Sequence, residues 1–280
     1  MKLIRFAVAA IAALGVTLGV TAAEAQNRKI KIATEGAYMP WNGLDASGKL
    51  IGFEIDLGAD LCKRAKFDCE FVSQDWDGII PSLTAKKYDV IMAGMNITEK
   101  RMETISFSVS YAAGAHGFMA LKSSGLKLPT GEYNLDTQKA EAEKALEAVK
   151  AALKGKVIGV QGSTTNSNFA EAYFKGVAEI REYKTTEQHD LDLAAGRVDV
   201  LVAAHSAFKA TMDTPDGKAM EIVGPAFSGG ILGRGVALGI RKEDTDIKAA
   251  FDAAIKAAIA DGTVRDLSMK WFKVDLSPKA

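Results

Sequence analysis

Tyr88-Asp-Val-Ile-Met-Ala-Gly-Met-Asn-Ile-Thr-Glu-Lys-Arg101 decides how this chain is read. A short apolar strand runs into a small-residue turn, then a threonine suited to capping a helix, then an arginine in that helix's first turn. Backbone N–H groups left free in such a turn, beside a guanidinium, suit a carboxylate. Taken alone, the arginine reads more simply as a solvated surface cation. The surrounding chain favours the carboxylate.

Leu83-Thr-Ala-Lys-Lys-Tyr-Asp-Val-Ile-Met92 and Leu193-Ala-Ala-Gly-Arg-Val-Asp-Val-Leu-Val202 share one grammar of helix end, turn, aspartate and strand. Each closes a β-α-β-α-β rhythm. The first cycle has strands at 29–34, 70–73 and 88–92, with helices opening at Gly52 and Trp76. The second has strands at 156–160, 180–183 and 198–203, with helices after Thr164 and through His189. The pattern predicts two similarly built α/β lobes, each a mostly parallel sheet flanked by helices. Residues 136–154, rich in Ala, Glu and Lys, predict an exposed helix. An apolar strand at 235–240 and helices at 244–260 and 263–272 complete the chain.

Composition bounds the function. Thirty-five basic residues balance thirty-five acidic ones, which argues against a nucleic-acid partner. Lys2 and Arg5 precede an apolar run from Phe6 to about Thr21, and Ala23-Glu-Ala25 follows as a small-x-small cleavage pattern, the form of an export signal cleaved before Gln26, so a periplasmic location is expected. No cysteine stands at the cleavage point to take a lipid. Cys62 and Cys69, close together in an exported chain, predict a local disulfide between a helix end and the next strand. Three scattered histidines and a cysteine pair do not form a metal pattern, and no cofactor is expected.

Further stretches carry a resemblance. Lys31-Ile-Ala-Thr-Glu-Gly-Ala-Tyr-Met-Pro-Trp-Asn42, Gly52-Phe-Glu-Ile-Asp-Leu57, Trp76-Asp-Gly-Ile-Ile-Pro-Ser-Leu83 and Ile97-Thr-Glu-Lys-Arg101 follow one another in order. Gly159-Val-Gln-Gly-Ser-Thr164, Gly239-Ile-Arg-Lys-Glu-Asp244 and Asp261-Gly-Thr-Val-Arg-Asp-Leu-Ser-Met-Lys-Trp-Phe272 come later. Together they resemble the periplasmic amino-acid-binding proteins of ABC importers (solute-binding family 3), in the branch that takes histidine, lysine, arginine, octopine and nopaline. The resemblance implies a type II two-lobed fold with two hinge crossings, near residues 111–113 and 222–225. Lobe 1 would comprise residues 26–112 and 224–280, and lobe 2 residues 113–223. It also implies a membrane ABC permease as partner, and a monomer.

Ligands of parallel sheets sit beyond the carboxyl ends of strands. Glu35, the stretch from Gly94, Met95 and Asn96 to Arg101, the turn Gly162-Ser163-Thr164, and Ala204-His205-Ser206 all fall there. Arg101 would grip a ligand carboxylate, helped by N–H groups of Asn96 and Thr164 and by the Thr164 hydroxyl. By resemblance, Glu35 faces a cationic side chain that Tyr38 and Trp76 sandwich; an exposed loop acid and a buried structural ring are the plainer readings. Trp41 is expected to support the loop.

Two departures bear on the ligand. Where relatives that bind plain amino acids place an aspartate for the α-ammonium, this chain has Ala204 and then His205. Asn96 replaces a smaller residue, and His116 follows the first crossing; either could hold a second carboxylate or hydroxylated arm, or be merely solvated. An opine or another N-substituted amino acid is therefore the leading ligand, ahead of a plain cationic amino acid. The alternative function is a secreted enzyme on the same fold, similar to arogenate or prephenate dehydratases. A receptor sensor module is a third, disfavoured because neither a membrane segment nor a kinase domain is read in the sequence up to Ala280.

Overall fold

A computed structural model describes residues 27–278; the expected export signal lies outside them. The chain runs through β1 (Arg28–Thr34), β2 (Gly43–Leu44), β3 (Leu50–Ile51), α1 (Phe53–Ala65), β4 (Phe67–Ser73), α2 (Ile79–Thr84), β5 (Val90–Ile91), α3 (Glu99–Met102) and β6 (Ser106–Phe107). It continues through β7 (His116–Leu121), β8 (Glu132–Asn134), α4 (Lys139–Ala152), β9 (Val157–Gln161), α5 (Thr165–Phe174), β10 (Glu179–Tyr183) and α6 (Thr186–Ala194). The last elements are β11 (Val200–Ala204), α7 (His205–Asp213), β12 (Met220–Ser228), β13 (Gly239–Ile240), α8 (Thr245–Ala260) and α9 (Thr263–Phe272).

One sheet has the order β4-β1-β5-β13-β6 and the other β10-β9-β11-β7-β12-β8, while β2 and β3 form a separate hairpin. In each, the strands from the sequence-predicted cycle are parallel: β4, β1 and β5 in the first, β10, β9 and β11 in the second. The sheets are nonetheless mixed. β13 joins the first antiparallel to β5 and β6, and in the second β7 runs antiparallel to both its neighbours, β11 and β12. The reason is topological: β7 and β13 are the first strands of their sheets that the chain reaches after crossing from the other lobe, and they run against the ones beside them, whereas β12 follows α7 within the second lobe and runs with β11.

The repeated aspartate has one physical job in both lobes. Asp89 accepts from the Lys31 N–H at 2.9 Å, and Asp199 accepts from the Val157 N–H at 2.8 Å. Each carboxylate ties the start of its strand to the strand alongside. Beyond it the side chains alternate faces, as strand geometry requires. Val90 and Met92 enter the core under α1 and α8, while Ile91 and Ala93 enter the core near α2. Val200 and Val202 likewise pack with α4 and α5, and Leu201 and Ala203 on the other face. Both faces of each sheet are thus covered.

Three expectations change. The helix at 139–152 is not simply exposed: Ala142, Ala145, Leu146 and Val149 form a buried stripe in the second core. β7 and β12 lie outside the helix-strand alternation of the sequence, which does not predict them. The return crossing near 222–225 is instead the middle of β12, which pairs with β7 as far as Val223, shifts register, and pairs again at Phe227. Gly224, at φ 76°, and Pro225 make a bulge there, where a ladder donor is dispensable. The chain next bridges the first sheet at Val236, which meets both Asn96 and Ala112. The Cys62–Cys69 disulfide is present, with a Cα–Cα separation of 6.2 Å, and ties α1 to β4.

Candidate functional site

The carboxyl ends of β1, β5, β9 and β11 converge on a cleft between the lobes. It is lined by Glu35, Tyr38, Trp41, Trp76, Gly94, Asn96 and Arg101 from the first lobe, and by His116, Gln161, Thr164, Asn166, His189, Ala204 and Ser206 from the second, among others. Three hydrogen bonds cross it. The Gln161 amide donates to Glu35 at 2.6 Å, the Trp76 indole N–H donates to the Ser163 carbonyl at 3.1 Å, and the Trp41 indole N–H donates to the Ser206 hydroxyl at 3.1 Å. The lobes are shut on one another.

Arg101 sits in the first turn of α3, whose cap is Thr98: the threonine hydroxyl accepts from the Arg101 N–H at 3.2 Å. Its guanidinium donates to the Asn96 carbonyl at 2.9 Å and lies 5.2 Å from the centre of the Trp76 ring. Desolvation lowers its pKa to about 10, which leaves it cationic at neutral pH. Among the described residues no carboxylate pairs with it. Trp76, expected to sandwich a ligand side chain, therefore spends one face on this cation.

Glu35 follows β1 directly and is only 9% exposed. Burial raises its pKa to about 7, with Glu54, Asp75 and Asp77 adding to the rise and the Gln161 bond opposing it. No cation pairs with it among the described residues. Its loop is held by a deeper acid, Glu54, which is fully buried on α1. Glu54 accepts from Asn42 at 2.6 Å, from the Gly94 N–H at 2.7 Å and from the Tyr111 hydroxyl. Asn42 in turn accepts from the Gly36 N–H at 2.8 Å. One buried carboxylate thus fixes both the loop after β1 and the turn after β5. Gly94, at φ 60°, is obligatory in that turn, since a Cβ there would lie 2.9 Å from the Tyr38 ring.

The second wall is mostly neutral. Thr164 caps α5: its hydroxyl donates to the Gln161 carbonyl at 2.7 Å and accepts from the Ser167 N–H at 3.0 Å. That hydroxyl is engaged in capping rather than free for a ligand, while the first α5 residues, Thr165 and Asn166, line the cleft. His116 Nδ1 lies 2.8 Å from the Asn166 side-chain oxygen, and burial lowers the ring's pKa to about 4, so it is neutral at physiological pH.

Nine of the sequence-predicted residues line the cleft: Glu35, Tyr38, Trp76, Gly94, Asn96, Arg101, His116, Thr164 and Ala204. Four do not. Met95 is fully buried in the lobe 1 core, because alternation turns it inward next to Gly94. Gly162 packs towards Glu182. Ser163 contributes only its carbonyl, to Trp76. His205 turns away as the first residue of α7 and lies over Gly117, where a Cβ would come within 2.3 Å of its Nε2. Gln161, Asn166 and His189 line the cleft although sequence reasoning does not single them out, and Ser206, from the strand-end run 204–206, lines it too. Gln161 and Asn166 stand at a strand end and a helix start, where the same rule applies. His189 gives no such signal, because at i,i+4 from Leu193 it reads as part of a core stripe.

Two sheet-based lobes shut over a polar slot, with a lone guanidinium and a lone carboxyl in its first-lobe wall, define a two-lobed binding protein of the type II architecture. The chain belongs to the bacterial extracellular solute-binding proteins, family 3, which match residues 30–274. It is 50% identical over 288 aligned positions to the octopine-binding periplasmic protein of Rhizobium meliloti, spanning 95% of this chain and 97% of that one. It is 36% identical to the histidine-binding periplasmic protein of Salmonella typhimurium, across 89% of each. A periplasmic His/Glu/Gln/Arg/opine family-binding protein from Silicibacter pomeroyi, solved in complex with lysine, superposes with a TM-score of 0.73 at 30% identity, covering 89% of this chain and all of that one.

Proposed function

We propose that the protein binds an opine of the octopine type, or failing that a plain cationic amino acid, in the periplasm, and delivers it to a membrane ABC permease as a monomer. The observation that carries this is the pairing of Arg101 and Glu35 in one closed cleft, each without an opposite charge beside it. A zwitterion with a cationic side chain supplies both counter-charges, and charge-assisted hydrogen bonds of that kind are worth about 1.5–3 kcal/mol each. Several of them support affinities of about −8 kcal/mol, or micromolar.

Ala204 supports the opine over the plain amino acid. It ends β11 at the cleft edge with no acid to hold a free α-ammonium, while His116, Asn166 and Asn96 line the wall as neutral hydrogen-bonding groups. An N-substituted nitrogen has fewer N–H groups to satisfy, and a second polar arm finds partners here. The 50% identity to an octopine-binding protein supports the same choice. The test is calorimetric titration with octopine, nopaline, L-arginine and L-histidine. Tightest binding of octopine is expected, and tighter binding of histidine than of either opine sinks the ligand assignment. Recovery of unaltered ligand after denaturation separates the carrier from a dehydratase-like enzyme.

A further inference from the structure

The site described so far leaves one buried group without a role. His189, on α6, is 1% exposed, and neither of its ring nitrogens makes a hydrogen bond. Its Nδ1 lies 3.0 Å from Asp190 Oδ1, but that oxygen too is without a hydrogen bond, so proximity is not matched by direction. The ring meets Tyr183 edge-on at 6.2 Å and lines the ligand cleft. A buried imidazole with no partner is unfavourable unless something in the adjoining polar space completes it.

Its position says which part of a ligand that is. Thr186 and His189, three residues apart, share one face of α6, and both line the cleft. The Gln161 amide, which donates to Glu35, also donates to the Lys184 carbonyl just before this helix. Through Gln161 and Lys184 the α6 face is tied to the Glu35 end of the cleft.

We propose that His189 is a specificity-determining residue that hydrogen-bonds the far end of a guanidinium-bearing ligand, beyond the reach of Glu35. This rests on the cationic-ligand reading above. A guanidinium carries more N–H donors than one carboxylate can satisfy, and a ring nitrogen is an acceptor suited to the remainder. Ornithine is the matched control, because its side chain stops where the guanidinium of arginine begins.

The experiment titrates L-arginine, octopine and L-ornithine into wild type, His189→Leu and His189→Asn. Leu should weaken arginine and octopine about tenfold while changing ornithine less than twofold, and Asn should restore part of the loss. Equal losses for all three ligands, or none, overturn the assignment and leave a packing residue. Should the Leu variant not fold, wild-type 15N imidazole spectra decide. There are three histidines to assign, and the His189 signals must move with arginine and stay with ornithine. If wild type binds none of the three ligands, the functional proposal itself has failed and this one with it; a binding wild type with indifferent variants defeats this one alone.

Discussion

Gln161 and Glu35 stand at the ends of parallel strands in different lobes, and the amide of one donates to the carboxyl of the other across 2.6 Å. The bond does two things at once. It holds the lobes shut, and it places the one buried acid of the cleft wall where a ligand's cation must compete with or join it.

Glu35 makes cation binding depend on pH. With a pKa near 7 the carboxyl is protonated in the slightly acidic range, while the bound cation needs it ionised. Affinity for arginine or octopine should therefore fall as pH drops below about 7, approaching tenfold per unit. For stability the sign is opposite. A carboxyl whose folded pKa is raised favours the folded state at low pH, so the ligand-free protein loses up to about 3 kcal/mol between roughly pH 4.5 and 7 from this group. Glu35→Gln should flatten both dependences in calorimetry and in thermal melts.

Arg101→Ala should cost about 2–5 kcal/mol of affinity, because it leaves a ligand carboxylate buried and unpaired. The fold should scarcely notice, since the guanidinium is desolvated without a counter-charge. A fall in melting temperature of more than a few degrees would mean that Arg101 is structural.

Ser206→Ala removes the acceptor of the Trp41 indole in the closed form. The expected loss is about 1 kcal/mol of affinity, seen as faster ligand release in stopped-flow measurements. Small-angle scattering of the ligand-free variant should show a larger radius of gyration than wild type. Identical scattering and release rates would remove Trp41–Ser206 from the closure mechanism.

Glu54→Ala unties Gly94, Asn42 and Tyr111 together. Buried partners left unsatisfied place it among the severe substitutions, about 3 kcal/mol or more of stability, read by urea unfolding. Replacing Cys62 and Cys69 by serine opens a short loop and should cost about 2–3 kcal/mol, with ligand affinity retained because the bond lies away from the cleft.

Much of the fold was legible in local patterns. Strands β1, β4, β5, β9, β10 and β11 show as apolar runs, and the paired aspartates Asp89 and Asp199 mark equivalent strand starts. β13 falls within the apolar run at 235–240, whereas β7 and β12 were less visible. β12 in particular is interrupted at Gly224-Pro225, and a bulge inside a strand and a break between elements look alike in sequence. The site followed the same division. Strand ends pointed to Glu35, Arg101 and Thr164, while His205 and Met95 pass the same positional test and yet face the interior.

The chain's own order of residues determined two α/β cycles, the arginine in a capped turn and the cysteine pair, because hydrophobic period, capping and short-range chemistry act between neighbours. Only the tertiary structure decided that Glu54 locks two loops, that Gln161 meets Glu35, and that His189 reaches the cleft. Those outcomes join residues from separate helices and lobes, and their energies come from burial and from directional bonds that exist only once distant segments have been brought together.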